Sequence, residues 1–394
     1  MSHGVSDPAT PISIDMVEGK RALGTFIRLP RILYAGMAGF VAPLDLERRG
    51  LLDPAKSGFF AHGRAQYFIA MRDGQPVGRI SAQIDEAGLE AWGAAIGCFG
   101  CLDAVDDRAV IAALLDAARD WLAGQGMERM RGPLTLSING ETGLLATGQA
   151  LGSVIMNPWH PAYIAAHLEA LGMPVAKTLV SYTLPKTGAG WQTRQKRGEA
   201  LRRRLPKLRV RGLDPKRLPE EGRLLRDLFN DAWADNWSFV PLTQPEVDLM
   251  IRELKPVLVH DDFVVIELDG EAVAFALMLP NLYDILEGVG GAPSLIGWAS
   301  LAWRMYRRRY RSARVLLLGV RRRFRDSTLG ALLAGILMDE LLERFGRYPY
   351  ETMDLGWVLE DNTRMRRLIE SLGVRPSRTF RVYEERLLPE AGAR

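Results

Sequence analysis

Residues 68–80 read FIAMRDGQPVGRI, and residues 263–275 read FVVIELDGEAVAF. Each stretch is a pair of apolar, alternating runs around an Asp-Gly dipeptide, Asp73 with Gly74 and Asp269 with Gly270. Asp-Gly between such runs is a strong hairpin signal, because the tight turn needs positive φ at both central residues. The two hairpins lie about half the chain apart. Moving outward, residues 168–172 (LEALG) are echoed by residues 369–373 (IESLG), each a helix end with glycine at the left-handed position. Tyr182 and Tyr383 follow at the same spacing, in short apolar strands over 179–184 and 379–384. Three matched points in one order argue for a duplicated domain.

The segments between these points fit that reading. An amphipathic helix is expected over 107–124, with Val110, Leu114, Leu115, Ala118 and Leu122 on one face, and another over 329–345, with Leu332, Leu333, Ile336, Leu337, Leu341 and Leu342. Strands are expected before them (95–102, 314–320) and after them (129–137, 352–359). Each half then runs hairpin, strand, helix, strand, helix, strand, an α/β (α+β) domain with a mixed sheet. The boundary is expected near residue 190, giving domains 1–190 and 191–394. The linker falls in the Pro-, Gly- and Thr-rich stretch 185–190, and a basic helix follows over 194–205.

A chain of 394 residues, 47% hydrophobic and 25% charged, has enough apolar material for two cores. The net charge of +4 is unevenly spread. Basic runs lie at 194–211, at Arg304, Arg307, Arg308, Arg309, Arg311 and Arg314, and at Arg321, Arg322, Arg323 and Arg325. They suit an anionic partner or a solvated helix face. The two cysteines, Cys98 and Cys101, sit in an apolar strand pattern and point to opposite faces, which argues against a redox pair. Five histidines without ligand spacing give no reason to expect a metal. Residues 1–20 lack a basic region followed by an apolar core, so no signal peptide is expected and a cytoplasmic location is.

The element order and local motifs resemble the GNAT (N-acetyltransferase-like) family. Residues 315–331, VLLLGVRRRFRDSTLGA, run from a strand into a helix start. Arg325, Thr328 and Gly330 fall on positions of the family's Arg/Gln-x-x-Gly-x-Gly/Ala loop, which holds the CoA pyrophosphate at a helix N-terminus. Thr328 departs from the glycine of that pattern, and Arg321 is among the nearby charges that could compensate. An ordinary capped helix start is the alternative. Residues 357–373, WVLEDNTRMRRLIESLG, resemble the following segment, in which Asn362 matches an asparagine near the pantetheine; a plain N-cap fits it too. The equivalent turn of the first half, residues 102–107, is acidic, so the resemblance implies acyl-CoA binding in the second half alone.

Over roughly residues 20–385 the chain resembles tandem GNAT-like N-acyltransferases that include bacterial ceramide synthases. The segments behind this are Phe59 with Phe60, 131–145 (RGPLTLSINGETGLL), 157–163 (NPWHPAY), 229–241 (FNDAWADNWSFVP) and 356–362 (GWVLEDN). The implied activity is acyl transfer from acyl-CoA, a co-substrate and not a bound cofactor, to the amine of sphinganine or 3-ketosphinganine. The rivals are acetyl or aminoacyl transfer to a peptide or small amine, and a non-catalytic acyl-CoA-binding module. The arginine runs lack a nucleic-acid-binding motif, so no nucleic-acid partner is expected.

Acyl transfer to an amine needs a base, a polarised thioester and a departing thiolate. Glu360 is the base candidate, against a solvated loop acid. Tyr383 is the acid candidate, against a half-buried sheet tyrosine. In the first half, Glu141 with Asn139 could hold an acceptor, against a glycine-containing turn. Trp233, Asn236 and Trp237 could line a lipid cleft, against simple core packing. The insertion 293–310, PSLIGWASLAWRMYRRRY, joins Trp298 and Trp303 to the arginines of 304–314. This mixture favours a membrane interface, and so a peripheral position at the inner membrane. A helix buried between domains is its alternative.

Overall fold

The computed structural model describes residues 10–187, 207–255 and 257–387. The expected basic helix at 194–205, and residues 188–190 of the expected linker, lie outside the described residues.

In chain order the elements are β1 (Ser13–Met16), α1 (Gly19–Leu33), α2 (Asp45–Leu52), β2 (Gly63–Arg72), β3 (Gln75–Asp85), α3 (Glu86–Trp92), β4 (Ile96–Ala104), α4 (Arg108–Gly124), β5 (Arg129–Gly132), β6 (Leu144–Thr147), α5 (Ala162–Ala170) and β7 (Val175–Pro185). There follow β8 (Leu208–Arg211), α6 (Leu218–Trp233), α7 (Gln244–Leu254), β9 (Phe263–Leu268), β10 (Glu271–Pro280), α8 (Tyr283–Leu286), α9 (Leu295–Tyr306), β11 (Ser312–Val320), α10 (Thr328–Arg347), β12 (Thr352–Leu359), α11 (Thr363–Glu370) and β13 (Pro376–Arg386).

The two units are not contiguous halves of the chain. Unit 1 runs through Thr178 and adds Gly288–Leu295 and the chain from Thr379 onward. Unit 2 comprises Leu179–Glu287 and Ile296–Arg378. The final strands are exchanged. Within unit 1 the order is β1-β2-β3-β4-β5-β13, and Tyr383 of β13 pairs with Gly132 of β5. Within unit 2 it is β8-β9-β10-β11-β12-β7, and Tyr182 of β7 pairs with Leu355 of β12. A division at residue 190 would leave each of these strands with the wrong sheet.

Both Asp-Gly turns adopt the required geometry, with φ of 51° and 69° at Asp73 and Gly74 and 53° and 83° at Asp269 and Gly270. They close β2–β3 and β9–β10. Among the described residues each unit has one parallel ladder, β4–β5 and β11–β12, the rest being antiparallel. The strand expected over 129–137 stops at Gly132, where Pro133 has no N–H to continue a ladder. In unit 1, α4 and α5 bury Val110, Leu114, Leu115, Leu122, Ile164 and Leu168 against one sheet face. Asp107 caps α4, its Oδ1 accepting from the Ala109 amide at 2.7 Å. On the other face, α1 contributes Leu23, Phe26, Ile27 and Leu29. In unit 2, α6 packs Leu225, Leu228 and Phe229 against Phe263, Phe275 and Leu277, while α10 buries Leu333, Ile336, Leu337 and Leu341. Each such side chain contributes about 1.5–3 kcal/mol on leaving water. No described helix is long and apolar enough to cross a membrane.

Candidate functional site

The second parallel ladder is short. Strands β11 and β12 pair only from Ser312↔Thr352 to Val315↔Leu355. Beyond that each keeps its outer neighbour: Leu317, Leu318 and Gly319 of β11 stay on β10, and Val358 and Leu359 of β12 stay on β7. The strands therefore diverge and open a wedge. Its onset is set by an irregularity on each strand. The β10–β11 register skips Leu316, and the β12–β7 register shifts between Leu355 and Val358. Such bulges bend a strand away from its partner. Leu316, Leu317 and Leu318 are only half-buried although they lie mid-sheet. The closed end is polar and buried: Arg314 is 2% exposed, its Nε donating to the Gly356 carbonyl at 3.0 Å. Beside it Asp354 is ion-paired with Arg378. Nothing in the sequence pattern marked this cluster.

The turn after β11 leads to the α10 N-terminus. Ser327 caps the helix, its Oγ accepting from the Gly330 amide at 3.0 Å. The Thr328 and Leu329 amides, the next donors at that end, have no partner among the described residues. Gly330 is required by packing, since a Cβ there would lie 2.0 Å from the Phe324 carbonyl oxygen.

The arginines of this turn are engaged. Arg325 donates to the Ala232 carbonyl at the end of α6 and pairs with Asp235 at 3.1 Å. Arg322 also pairs with Asp235, at 2.8 Å, and its backbone amide donates to Asp231. Arg321 donates to the Ala272 carbonyl at 2.8 Å, and Arg323 pairs with Glu271. Arg325 thus latches the turn to α6.

The rim residues are accessible. Asn362 caps α11, its Oδ1 accepting from the Met365 amide at 3.2 Å, so the local N-cap reading accounts for it. Glu360 is exposed just beyond β12. Its side chain has no hydrogen bond or ion pair among the described residues, and its carbonyl accepts from Arg366 at 2.9 Å. The wall is aromatic. Trp233 stacks on Phe229 with centroids 4.9 Å apart and lies against Gly319, where a Cβ would come within 2.4 Å of the ring. Trp233 therefore packs on β11 next to the wedge. Asn236 and Trp237 are half-buried in the following loop, which Asn230 pins through two hydrogen bonds to Leu242.

Tyr383 sits elsewhere. It is fully buried in the core of unit 1, whereas Glu360 is in unit 2, because β13 is exchanged. Its hydroxyl has no partner among the described residues, and burial pushes its pKa up. Tyr182 holds the corresponding place in unit 2. Its hydroxyl donates to Glu370 at 2.8 Å and accepts from Arg366 at 3.2 Å.

The wedge of unit 1 is filled by its own chain. Strands β4 and β5 pair only from Ile96↔Arg129 to Cys98↔Arg131. The Leu134 amide then donates to Phe99 at 2.8 Å, and the Leu134 carbonyl accepts from Gln83 at 2.7 Å. A Cβ at Gly100 would lie 1.9 Å from that carbonyl oxygen. At the α4 start, Asp107 pairs with Arg72 at 2.8 Å. Glu141 is held by Arg48 and by Thr135. Burial pushes its carboxyl up, but Arg48 and Thr135 outweigh this and keep it below the ordinary value. Asn139 is half-buried, its backbone amide donating to Ser137 at 3.2 Å. Buried His160 accepts the Leu145 amide on Nδ1, and burial lowers its pKa. Cys98 is a free buried thiol pushed up to about 12 by burial, and Cys101 is also free.

The arginines of 304–314 do not all face outward as expected. Arg314 is buried, Arg304 donates to the Ile285 and Glu287 carbonyls, Arg308 lies over the Tyr310 and Tyr348 rings, and Arg311 pairs with Glu287. The loop that returns from α9 to β11 uses these cations to satisfy its own polar groups.

No family model matches the sequence. Protein YghO of Escherichia coli (strain K12) is 35% identical over 368 residues, 93% of this chain and 94% of that protein. The bacterial ceramide synthase of Caulobacter vibrioides (strain NA1000 / CB15N) is 35% identical over 378 residues, 95% of this chain and 98% of that protein. Among solved structures, a tandem GNAT protein from the clavulanic acid biosynthesis pathway aligns with TM-score 0.56 at 14% identity, covering 96% of this chain and 100% of that one. A GCN5-related N-acetyltransferase from Sphaerobacter thermophilus aligns with TM-score 0.51 at 11% identity, covering 95% and 96%. The structural likenesses carry the fold, and the two full-length sequence relatives carry the kinship. The chain belongs to the tandem GNAT-like N-acyltransferase family that includes bacterial ceramide synthase.

Proposed function

We propose that this protein transfers a fatty acyl group from acyl-CoA to the amine of a long-chain amino alcohol or amino ketone, of the sphinganine or 3-ketosphinganine kind. The observation that carries the reading is the contrast between units. The wedge of unit 2 is filled by none of the described residues and is lined with leucine, next to a helix start whose Thr328 and Leu329 amides are unpartnered among them, while that of unit 1 is closed by Leu134. Full-length similarity to bacterial ceramide synthase supports the acceptor class. In this reading unit 1 is a scaffold copy, and only unit 2 binds acyl-CoA.

The unpaired edges of β11 and β12 suit an extended amide-bearing arm, which can add hydrogen bonds as a strand would. The Thr328 and Leu329 amides suit a phosphate. Glu360 takes a proton, directly or through water, from the acceptor ammonium. The freed amine nitrogen attacks the thioester carbonyl carbon, a C–N bond forms, the C–S bond breaks, and the second proton of that nitrogen passes to the departing sulfur. The thiol of CoA titrates near 8–9, so it departs as a thiolate and is then protonated; no buried acid is needed. Neither Tyr182, bound by Glu370 and Arg366, nor Tyr383 in the other unit has to supply one. Tightly bound cofactors and metals have no part in this scheme.

The test is incubation with acyl-CoA and a panel of amines, read by mass for amide. Amide on the long-chain amino alcohol, and a fall of about a hundredfold or more in Glu360→Gln, are expected. Acylation of small soluble amines alone would replace the lipid acceptor, and full activity in Glu360→Gln would remove its role as base.

A further inference from the structure

Helix α9 carries an apolar face that none of the described residues covers. Leu295, Ile296, Trp298, Trp303 and Tyr306 are 90%, 83%, 40%, 54% and 81% exposed. Leu295, Trp298, Ala302, Trp303 and Tyr306 recur at helical spacing, so they form one stripe, while Leu301 faces inward and is buried. At 12 residues the helix is about 18 Å long, too short to span a bilayer. Large contiguous apolar patches on soluble proteins mark interaction sites.

The charge at its end identifies the partner. Four of the six arginines of 304–314 are engaged by carbonyls, rings or carboxylates that lie outside α9. The two that remain, Arg307 and Arg309, are exposed and have no carboxylate partner among the described residues. Arg307 lies over the Trp303 ring with its Cζ 5.5 Å from the centroid, so cation and aromatic share one edge of the stripe. Aliphatic side chains along a face, Trp and Tyr at its margin and unpaired cations beyond them match the layers of an anionic bilayer surface: acyl boundary, interface and headgroup.

We propose that α9 is a membrane-docking helix that lies in the plane of an anionic bilayer, with Ile296, Trp303 and Tyr306 in the interface and Arg307 and Arg309 on headgroups. This deepens the lipid-acceptor reading by naming the surface from which such an acceptor is drawn. Its test does not use acyl transfer, so the two fail separately. The electrostatic part rests on two arginines, not six, and apolar insertion carries more of the binding.

The experiment is co-sedimentation of the full chain with vesicles of phosphatidylcholine, with and without phosphatidylglycerol, at low and high salt. Binding is expected with phosphatidylglycerol at low salt and weaker at high salt. Ile296→Ser with Tyr306→Ser, and separately Arg307→Glu with Arg309→Glu, should each reduce it at least about tenfold. Thermal melting should not change, since these side chains are exposed. Wild-type protein left in the supernatant at low salt would overturn the proposal. So would both double variants binding like the wild type. A dimer in analytical ultracentrifugation that Ile296→Ser with Tyr306→Ser converts to monomer would assign the stripe to a second copy of the chain instead.

Discussion

Tyr182 donates a hydrogen bond to Glu370 at 2.8 Å, joining residues 188 positions apart within one unit. Its counterpart in the repeat, Tyr383, is buried in the other unit, where its hydroxyl has no partner among the described residues. The two tyrosines therefore respond differently to loss of the hydroxyl. Tyr182→Phe should destabilise unit 2 by about 1 kcal/mol, the usual net value of such a bond. Tyr383→Phe removes a buried, unsatisfied group and should be neutral or stabilising by a similar amount, with acyl transfer retained. Denaturant titration of both variants measures this. A large loss of turnover in Tyr383→Phe would return it to the role of acid.

Much of each unit was legible because it rests on local rules. Asp73 with Gly74 and Asp269 with Gly270 dictate turns, and the leucines of α4 and α10 dictate buried faces. The strand exchange was not legible. The patterns around Tyr182 and Tyr383 specify strands but do not say which sheet accepts them, because ladder partners are chosen by tertiary packing. The same holds for the filled wedge of unit 1, which depends on Gly100 yielding space to the Leu134 carbonyl, and for Arg325. Its motif position suggested a phosphate ligand, whereas its partners are Ala232 and Asp235. Glu360 and Asn362 follow β12, where the strand pattern puts them, but position does not establish a role.

The turn before α10 depends on Gly330. Gly330→Ala would place a Cβ against the Phe324 carbonyl, force the turn outward and cost about 1–3 kcal/mol. Acyl-CoA affinity should fall with it. Gly335, on the same helix, has open space where a methyl group would go, with nothing within 4 Å, so Gly335→Ala should be tolerated and stabilise by up to about 1 kcal/mol. Calorimetric titration with CoA, beside thermal melts, separates the two.

Asp235 neutralises Arg322 and Arg325. If these arginines attract the phosphates of CoA, Asp235→Asn should keep or tighten CoA binding, while Arg325→Glu should weaken it by about 1–3 kcal/mol. Weakening in both variants to the same degree would show that the latch to α6, and not the charge, matters.

Burial raises the Asp262 carboxyl to about 7, although the Val259 amide, Arg308 and Arg344 pull it down. In the unfolded chain it titrates near 4. Between those values the folded protein retains a proton that the unfolded chain has released. Asp262 therefore lowers stability as pH rises from about 4 to about 7, with no further loss above that. The difference is on the order of 2–4 kcal/mol. Asp262→Asn should flatten this part of the profile, so the variant gains most over wild type at pH 8 and least at pH 5. Chemical denaturation at the two pH values checks it, and equal gains at both would contradict the assignment.

The central claim, that acyl-CoA occupies the β11–β12 wedge of unit 2, is tested most directly by photolabelling with a diazirine-bearing acyl-CoA, followed by peptide mapping. Label is expected in peptides carrying Leu316, Leu317 and Leu318 or Trp357 and Glu360, and should be displaced by excess unlabelled acyl-CoA. Displaceable label confined to 96–104 and 129–142, the filled wedge of unit 1, would contradict the account.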